Sequence, residues 1–390
     1  PATGRPTGGT PAGPPSMAVD TDRQPFVLIW EVTQACALAC EHCRADAQPA
    51  RHPDELTTAE GKSLLDQART FGDGQLVVLS GGDPLARPDL QELVEYGVER
   101  GLRMTLTPSG TDSLTGARIE TLADAGLRRM ALSLDGATPT SHDGFRGESG
   151  SLESTLRAAQ AARDASLPLQ INTTVCASTV DELSAIRDLV ADLGAVLWSV
   201  FFLVPVGRGA TLDPVSPERA ERVMAWLTEV SDEASFGVKT TEAPHYRRVK
   251  RQRATARDGD VASAADGAGT DGAPADPPDD IGRRAGITAG DGFVFVSHTG
   301  DVYPSGFLPK AAGNVREESV VSIYRDSDLF ESLRSLDALE GKCGACEYRA
   351  LCGGSRSRAY ATTGNPLAAD PLCAYVPEGY DGPVPERQQS

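Results

Sequence analysis

Short apolar runs rich in β-branched and aromatic residues recur through the first half of the chain, separated by polar, helix-forming stretches. The runs fall at 26–33 (FVLIWEVT), 75–80 (QLVVLS), 102–107 (LRMTLT), 129–134 (RMALSL), 168–175 (PLQINTTV) and 197–204 (LWSVFFLV). Amphipathic stretches lie at about 57–71, 88–100, 114–126, 151–165, 180–193 and 216–232. Thr57 followed by Glu60 has the form of a capping box. Six strand–helix units in series predict a parallel sheet covered by helices, because parallel neighbours need a crossover connection. Right-handed crossovers curl such a sheet into a barrel or partial barrel. The expected fold class is α/β, a partial (β/α)6 barrel followed by a small cysteine-rich C-terminal domain. Active sites in such barrels collect at the C-terminal ends of the strands.

Two stretches break the pattern. Residues 1–24 are rich in Pro, Gly and Thr and read as a disordered tail, with Met17 inside it as a candidate natural start. Between Asp258 and Gly282 there are seven aspartates and no basic residue, so 255–287 reads as a solvated acidic insertion. The expected organisation is therefore a barrel over 25–235, a connecting segment at 236–254, the insertion, a cysteine-rich domain at 288–380 and a tail at 381–390. Within that last domain, 293–303 (FVFVSHTGDVY) predicts a β-hairpin around Thr299-Gly300-Asp301, and a helix is expected at about 320–336.

Charge narrows the classes of partner. The 390 residues carry 37 Lys and Arg against 55 Asp and Glu, a net charge of −18. Such a surface repels nucleic acid and anionic membranes. Only five of the basic residues are lysines, and the acidic bias runs along the whole chain, the pattern of a salt-adapted, haloarchaeal protein. No apolar run approaches the ~18 residues of a membrane span. No secretion signal is evident, so a cytoplasmic location is expected.

The chemistry is concentrated in the cysteines, eight in all. Clustered thiols in a cytosolic chain bind metal or do redox chemistry more often than they form disulfides. Cys36, Cys40 and Cys43 follow the first strand with x3 and x2 spacing. Three thiolates on one loop can hold three irons of a cubane and leave the fourth open for a ligand; a zinc knuckle is the alternative. Cys343, Cys346, Cys352 and Cys373 form a second group. Cys176 stands alone and reads as a buried small apolar residue.

Cys36-x3-Cys40-x-His42-Cys43 resembles the signature of the radical S-adenosylmethionine (SAM) superfamily, with His42 at the position usually aromatic. The resemblance implies a partial barrel whose [4Fe-4S] cluster binds SAM and cleaves it to a 5′-deoxyadenosyl radical, which abstracts hydrogen from substrate. Reduction requires an electron donor such as ferredoxin. Ser80-Gly81-Gly82-Asp83-Pro84 resembles the family's Gly-Gly-Glu-Pro motif, with Asp83 in place of Glu. Ser109, Ser133, Asp135, Asn172 and Thr174, at strand ends, are the further candidates for SAM contact.

The second group resembles the SPASM extension, which holds auxiliary clusters. Ser305 and Ser355 stand where relatives often carry cysteine for the inner auxiliary cluster. The four cysteines that remain match the outer one, so the resemblance implies one auxiliary [4Fe-4S] cluster, with a structural zinc site as the alternative. Ser-Leu-Asp-Gly-Ala (133–137), Ser-His-Asp-Gly-Phe-Arg-Gly (141–147), Leu-Val-Pro-Val-Gly-Arg-Gly (203–209) and Ala-Pro-His-Tyr (243–246) resemble the alternative haem-biosynthesis branch. That branch implies side-chain removal or oxidative decarboxylation on an iron-porphyrin. Arg146, Arg208, Arg247 and Arg248 are then candidates for propionates, and His245 and His298 for iron or proton transfer. A maturase of a ribosomal peptide and a non-catalytic metal scaffold are the competing readings.

Overall fold

The computed structural model describes residues 20–262 and 287–384. Its centre is one ten-stranded sheet. The strands are β1 (Val27–Glu31), β2 (Leu76–Ser80), β3 (Arg103–Leu106), β4 (Arg129–Ser133), β5 (Leu169–Val175), β6 (Leu197–Phe202), β7 (Gly237–Thr241), β8 (Phe293–Val296), β9 (Asp301–Tyr303) and β10 (Gly313–Asn314). They lie in the order β10-β9-β8-β1-β2-β3-β4-β5-β6-β7. Strands β1 to β7 are parallel, β8 joins β1 in parallel, and β9 and β10 are antiparallel.

The six expected strands are present, and the sheet grows at both edges. Beyond β6 it gains β7, whose sequence GVKTT is too short and polar to read as a strand alone. Beyond β1 it gains the hairpin strands β8 and β9. Phe293 pairs with Val27 and Val296 with Trp30. The expected boundary at 288 is therefore no break in the sheet, since β8 pairs with β1; most of the expected N-terminal tail, of the acidic insertion and of the C-terminal tail lies outside the described residues.

Period-two alternation sorts the strand side chains between two covered faces. On β1, Leu28 and Trp30 are fully buried against the helices, while Val27 and Ile29 face an internal cavity. The outer helices include α1 (Thr58–Arg69), α2 (Leu90–Glu99), α3 (Gly116–Asp124), α4 (Pro139–Arg146), α5 (Ser151–Asp164), α6 (Leu183–Asp192), α7 (Pro217–Glu233) and α8 (Tyr246–Ala262). Thr57 and Glu60 form the expected capping box on α1. Gly61 lets α1 approach the sheet closely, since a Cβ there would lie 2.4 Å from the Trp30 ring. The expected helix at 320–336 is two, α9 (Val320–Asp326) and α10 (Asp328–Arg334), because Ser327 is extended and caps the second. Two further helices, α11 (Gly341–Gly344) and α12 (Arg356–Thr363), frame the second cysteine group. Among the described residues no helix is long and apolar enough to cross a membrane.

Candidate active site

The loop after β1 carries Cys36, Cys40 and Cys43 to the C-terminal end of the sheet. Hydrogen bonds tie it down at several points. Glu55 accepts from Thr33 Oγ1 at 2.6 Å and from Arg51 Nε at 2.6 Å. Cys36 N donates to Gln48 O at 2.8 Å. Arg208 donates to Cys40 O (2.9 Å) and Ala47 O (3.1 Å), so it staples the loop rather than waiting for a substrate.

The Gly-Gly turn after β2 packs directly on this loop. Gly82 N donates to Thr33 O at 2.9 Å, and Asp83 N to Ala35 O at 2.6 Å. A Cβ on Gly82 would lie 2.4 Å from Ala35 O and 2.6 Å from Gln34 O. Gly81 sits at φ +156°, with its missing Cβ 2.5 Å from Thr33 O. Only glycine tolerates that approach.

All three cysteines line a cavity of about 860 Å³, as do His42, Gly81, Gly82, Ser109, Ser133, Asp135, Asn172 and Thr174. Asp83 does not: its carboxylate caps the turn at Leu85 N (3.1 Å) and accepts from Ser109 N (3.3 Å). Ser109 Oγ stands 3.4 Å from Cys36 Sγ. Burial pushes the Cys36 and Cys40 thiols above their ordinary range. Iron ligation would offset that cost, because a bound cation holds the thiolate form.

Beside the cysteines lies a buried charged pair. Burial opposes ionisation of Asp135, but His42, Arg146 and the Thr174 N–H outweigh it and hold the carboxyl below the usual range. Thr174 N donates to Oδ1 at 2.7 Å, and Arg146 Nη1 stands 3.3 Å from Oδ2. Oδ2 itself is buried and accepts no hydrogen bond. A donor entering the cavity, such as a ribose hydroxyl, would satisfy it. Burial lowers the pKa of His42 to about 4, so the ring is neutral, stacked on Phe145 at 4.6 Å. The three thiols on one loop, the glycine cradle and this orphaned acceptor fit a cluster with SAM at its open iron.

The second group is also charge-balanced. Cys343 Sγ accepts from Asp370 N at 3.4 Å and from the buried Arg356 Nη2 at 3.7 Å. Burial pushes Cys352 to about 12 and Cys373 to about 11, with Arg248 and Lys342 pulling the latter down. Among the described residues no three or more His, Cys, Asp or Glu are gathered to hold a single ion. Cysteines of a cubane each take a different iron and stand further apart than the ligands of one ion.

Between the two groups, Ser305 and Ser355 face the cavity and donate to one carboxylate. Ser305 Oγ reaches Glu242 Oε1 at 3.0 Å, Ser355 Oγ reaches Oε2 at 2.5 Å, and Ser357 Oγ reaches Oε1 at 2.9 Å. Glu242 holds φ at +56°, a conformation costly for a residue with a Cβ. Arg358 secures it, donating to Glu242 O at 2.7 Å while pairing with Asp370 at 3.2 Å.

Charge inside the cavity opposes charge outside. Among the described residues its lining carries eight cations and two carboxylates, Asp135 and Glu242, in a chain of net charge −18. Four of the cations are engaged: Arg44 with Glu31 (2.9 Å), Arg146 with Asp135, Arg208 with the cysteine loop, and Arg247 with Leu351 O (3.0 Å). Arg129 donates to Gln170 Oε1 (3.4 Å) and Lys250 to Ser231 Oγ (3.5 Å), and Lys239 and Arg251 complete the eight. Arg248, His245 and His298 lie outside the lining. Arg248 pairs with Glu221 at 2.6 Å, and His298 with Glu31 at 2.7 Å. Burial lowers the pKa of His245 to about 4. Sequence reasoning missed Arg129, Lys239 and Glu242; the scarcity of lysine, five in the chain, was the one available signal.

The fold and the cysteine loop define a radical SAM enzyme, and the chain belongs to that superfamily, whose profile matches residues 30–190. More particularly, it is 41% identical to the AdoMet-dependent heme synthase of Methanosarcina barkeri, covering 90% of this chain and 97% of that protein. The AdoMet-dependent heme synthase of Nitratidesulfovibrio vulgaris is 39% identical, covering 90% and 92%. Among solved structures, Streptococcus suis SuiB bound to S-adenosylmethionine superposes with a TM-score of 0.68 at 16% identity, covering 90% of this chain and 78% of that one. That likeness is one of fold.

Proposed function

We propose that the chain acts in haem biosynthesis, removing carboxyl groups from the propionate side chains of an iron-porphyrin by oxidative decarboxylation. The observation that carries this reading is the reversed charge of the cavity, eight cations to two carboxylates among the described residues. A polycarboxylate with an apolar body suits it, and the kinship with the heme synthases supports the same substrate class.

Cys36, Cys40 and Cys43 would hold the cluster, and Gly81, Gly82, Ser109, Ser133, Asp135 and Asn172 would contact SAM. When bound, cluster and SAM supply a radical that takes a hydrogen atom from the substrate. The protein's part is positional. Asp135 offers an ionised acceptor, Arg146 holds it in place, and neutral His42 adds no charge beside the thiolates. Each of two propionates loses a hydrogen atom from the carbon next to the ring, then its carboxylate as carbon dioxide. A vinyl group remains and one electron passes to an acceptor. Cys343, Cys346, Cys352 and Cys373 are proposed to hold one auxiliary [4Fe-4S] cluster in a SPASM-type unit, and ferredoxin is a suitable donor for the first.

The test is anaerobic reconstitution with iron and sulfide, then incubation with SAM, reductant and iron-coproporphyrin III. Deoxyadenosine together with loss of two carboxyl groups from the porphyrin is expected. Deoxyadenosine beside an untouched porphyrin would overturn the substrate and turn the search to peptides.

A further inference from the structure

Strand pairing sets Lys239 level with two of the candidate SAM contacts. Ser133 pairs with Asn172, Asn172 with Ser199, and Ser199 with Lys239. Neighbouring strands lie about 4.8 Å apart, so along the sheet Lys239 stands roughly 10 Å from Asn172 and roughly 14 Å from Ser133. The residue between Lys239 and Asn172 is small and turned to its own neighbour, with Ser199 Oγ 3.2 Å from Thr241 Oγ1. No bulky side chain at that level divides the lysine from the space in front of Asn172, and both residues line the cavity.

Among the described residues no hydrogen bond or ion pair engages Lys239. The two carboxylates of the lining are committed elsewhere, Asp135 to Arg146 and the Thr174 N–H, Glu242 to three serine hydroxyls. An ammonium group shut in a cavity without an acceptor is costly, and an anionic ligand would offset that cost. Burial lowers its pKa to about 8, which leaves it charged at neutral pH. Aromatic surface lies beside it. Phe201 pairs with Thr241, one pair further along the same two strands. That is a diagonal of roughly 8 Å between the Cα atoms of Phe201 and Lys239. Phe201 meets Phe307 with ring centroids 6.3 Å apart; both rings line the cavity and neither is fully buried. A planar apolar body can lie on these rings while a carboxylate at its edge reaches the lysine.

We propose that Lys239 grips the carboxylate of the side chain that reacts, with the macrocycle seated on Phe201 and Phe307. The inference rests on the tetrapyrrole reading and adds which residues present the reacting edge. Hydrogen abstraction demands close approach of the reacting carbon, and a charged contact at the end of a short side chain fixes that carbon. The grip also releases itself. Loss of the carboxylate as carbon dioxide removes the group that Lys239 holds, and the ring is then free to present a second propionate.

Iron-coproporphyrin III and its tetramethyl ester are titrated into the reconstituted full-length protein and into K239M, K239R and F201L, following porphyrin absorbance. Methionine keeps an unbranched stem and removes the charge. K239M is expected to weaken binding of the acid by roughly ten- to hundredfold, the range for losing a hydrogen bond to a charged group. Affinity for the ester should stay unchanged, and K239R should restore most of the loss. F201L should weaken acid and ester alike, by about two- to tenfold. With SAM and reductant, K239M should lose fewer carboxyl groups per deoxyadenosine formed than wild type, an uncoupling that a merely structural role would not produce. Equal affinity of K239M and wild type for the acid overturns the proposal, as does an equal loss for acid and ester, or wild-type coupling. An F201L variant that binds the ester like wild type overturns the aromatic seat. Failure of the wild type to bind the acid overturns the tetrapyrrole reading, and this inference with it.

Discussion

Gly82→Ala probes the contact between the glycine turn and the cysteine loop. The new Cβ would lie 2.4 Å from Ala35 O and 2.6 Å from Gln34 O, where ordinary contact begins at 3.4 Å. Both neighbours are backbone, so no side chain can rotate away. Relief requires the loop bearing Cys36 to shift by roughly 1 Å, and a misplacement of that size costs about a hundredfold in rate. Overpacking should lower stability by only about 1–3 kcal/mol. The assay is deoxyadenosine formed from SAM after anaerobic reconstitution, with iron per chain and thermal unfolding measured beside it. Gly144→Ala is the control: nothing lies within 4 Å of its Cβ, and it sits within α4. That change should raise stability by about 0.5–1 kcal/mol and leave the rate alone. Wild-type iron content and wild-type rate in G82A would refute the reasoning.

Three further outcomes are expected. Replacing Cys352 and Cys373 together by alanine should lower iron from about eight to about four atoms per chain while SAM cleavage persists; unchanged iron would contradict the second cluster. Arg358→Met removes donors to Phe202 O, Leu203 O and Glu242 O and breaks the buried pair with Asp370. Breaking such a pair costs about 3–5 kcal/mol, and denaturant unfolding checks it. The Arg316 guanidinium and the Thr57 N–H hold Glu60 at about 2. Its folded pKa is depressed, so its contribution is present above pH 4.5 and is lost as pH falls towards 2. The group is a third exposed, so E60Q should cost only about 0.5–1 kcal/mol near neutrality, and the gap from wild type should close on acidification.

Much of the barrel was legible because both periodicities are strong. Leu28 and Trp30 alternate with Val27 and Ile29, and α1 announces itself through Thr57 and Glu60. The cysteine spacing located the centre of the site, since three ligands on one loop need no tertiary information. What was not legible depends on contacts distant in sequence. Strand β7 exists because β6 offers it an edge, and its own five residues carry no alternation to read. Parallel pairing of β8 with β1 joins residues more than 260 apart. Arg208 and Arg247 looked like substrate cations by residue type, yet their donors go to backbone carbonyls. Sequence shows the charge of a side chain and not whether it is already engaged.

Glu242 shows the same limit from the other side. Ser305 and Ser355 read as losses, thiols missing from an inner cluster. In space they are donors, and with Ser357 they fix one carboxylate at the junction of β7 and α12. A serine hydroxyl keeps its proton at neutral pH and donates readily, whereas a thiol is the better iron ligand as thiolate. Three hydroxyls around a carboxylate therefore make a network that is satisfied without metal. Arg358 then joins it to Asp370, whose N–H donates to Cys343 Sγ. Glu242, Ser305 and Ser355 thus line the cavity and are tied through Arg358 and Asp370 to Cys343 of the second cysteine group.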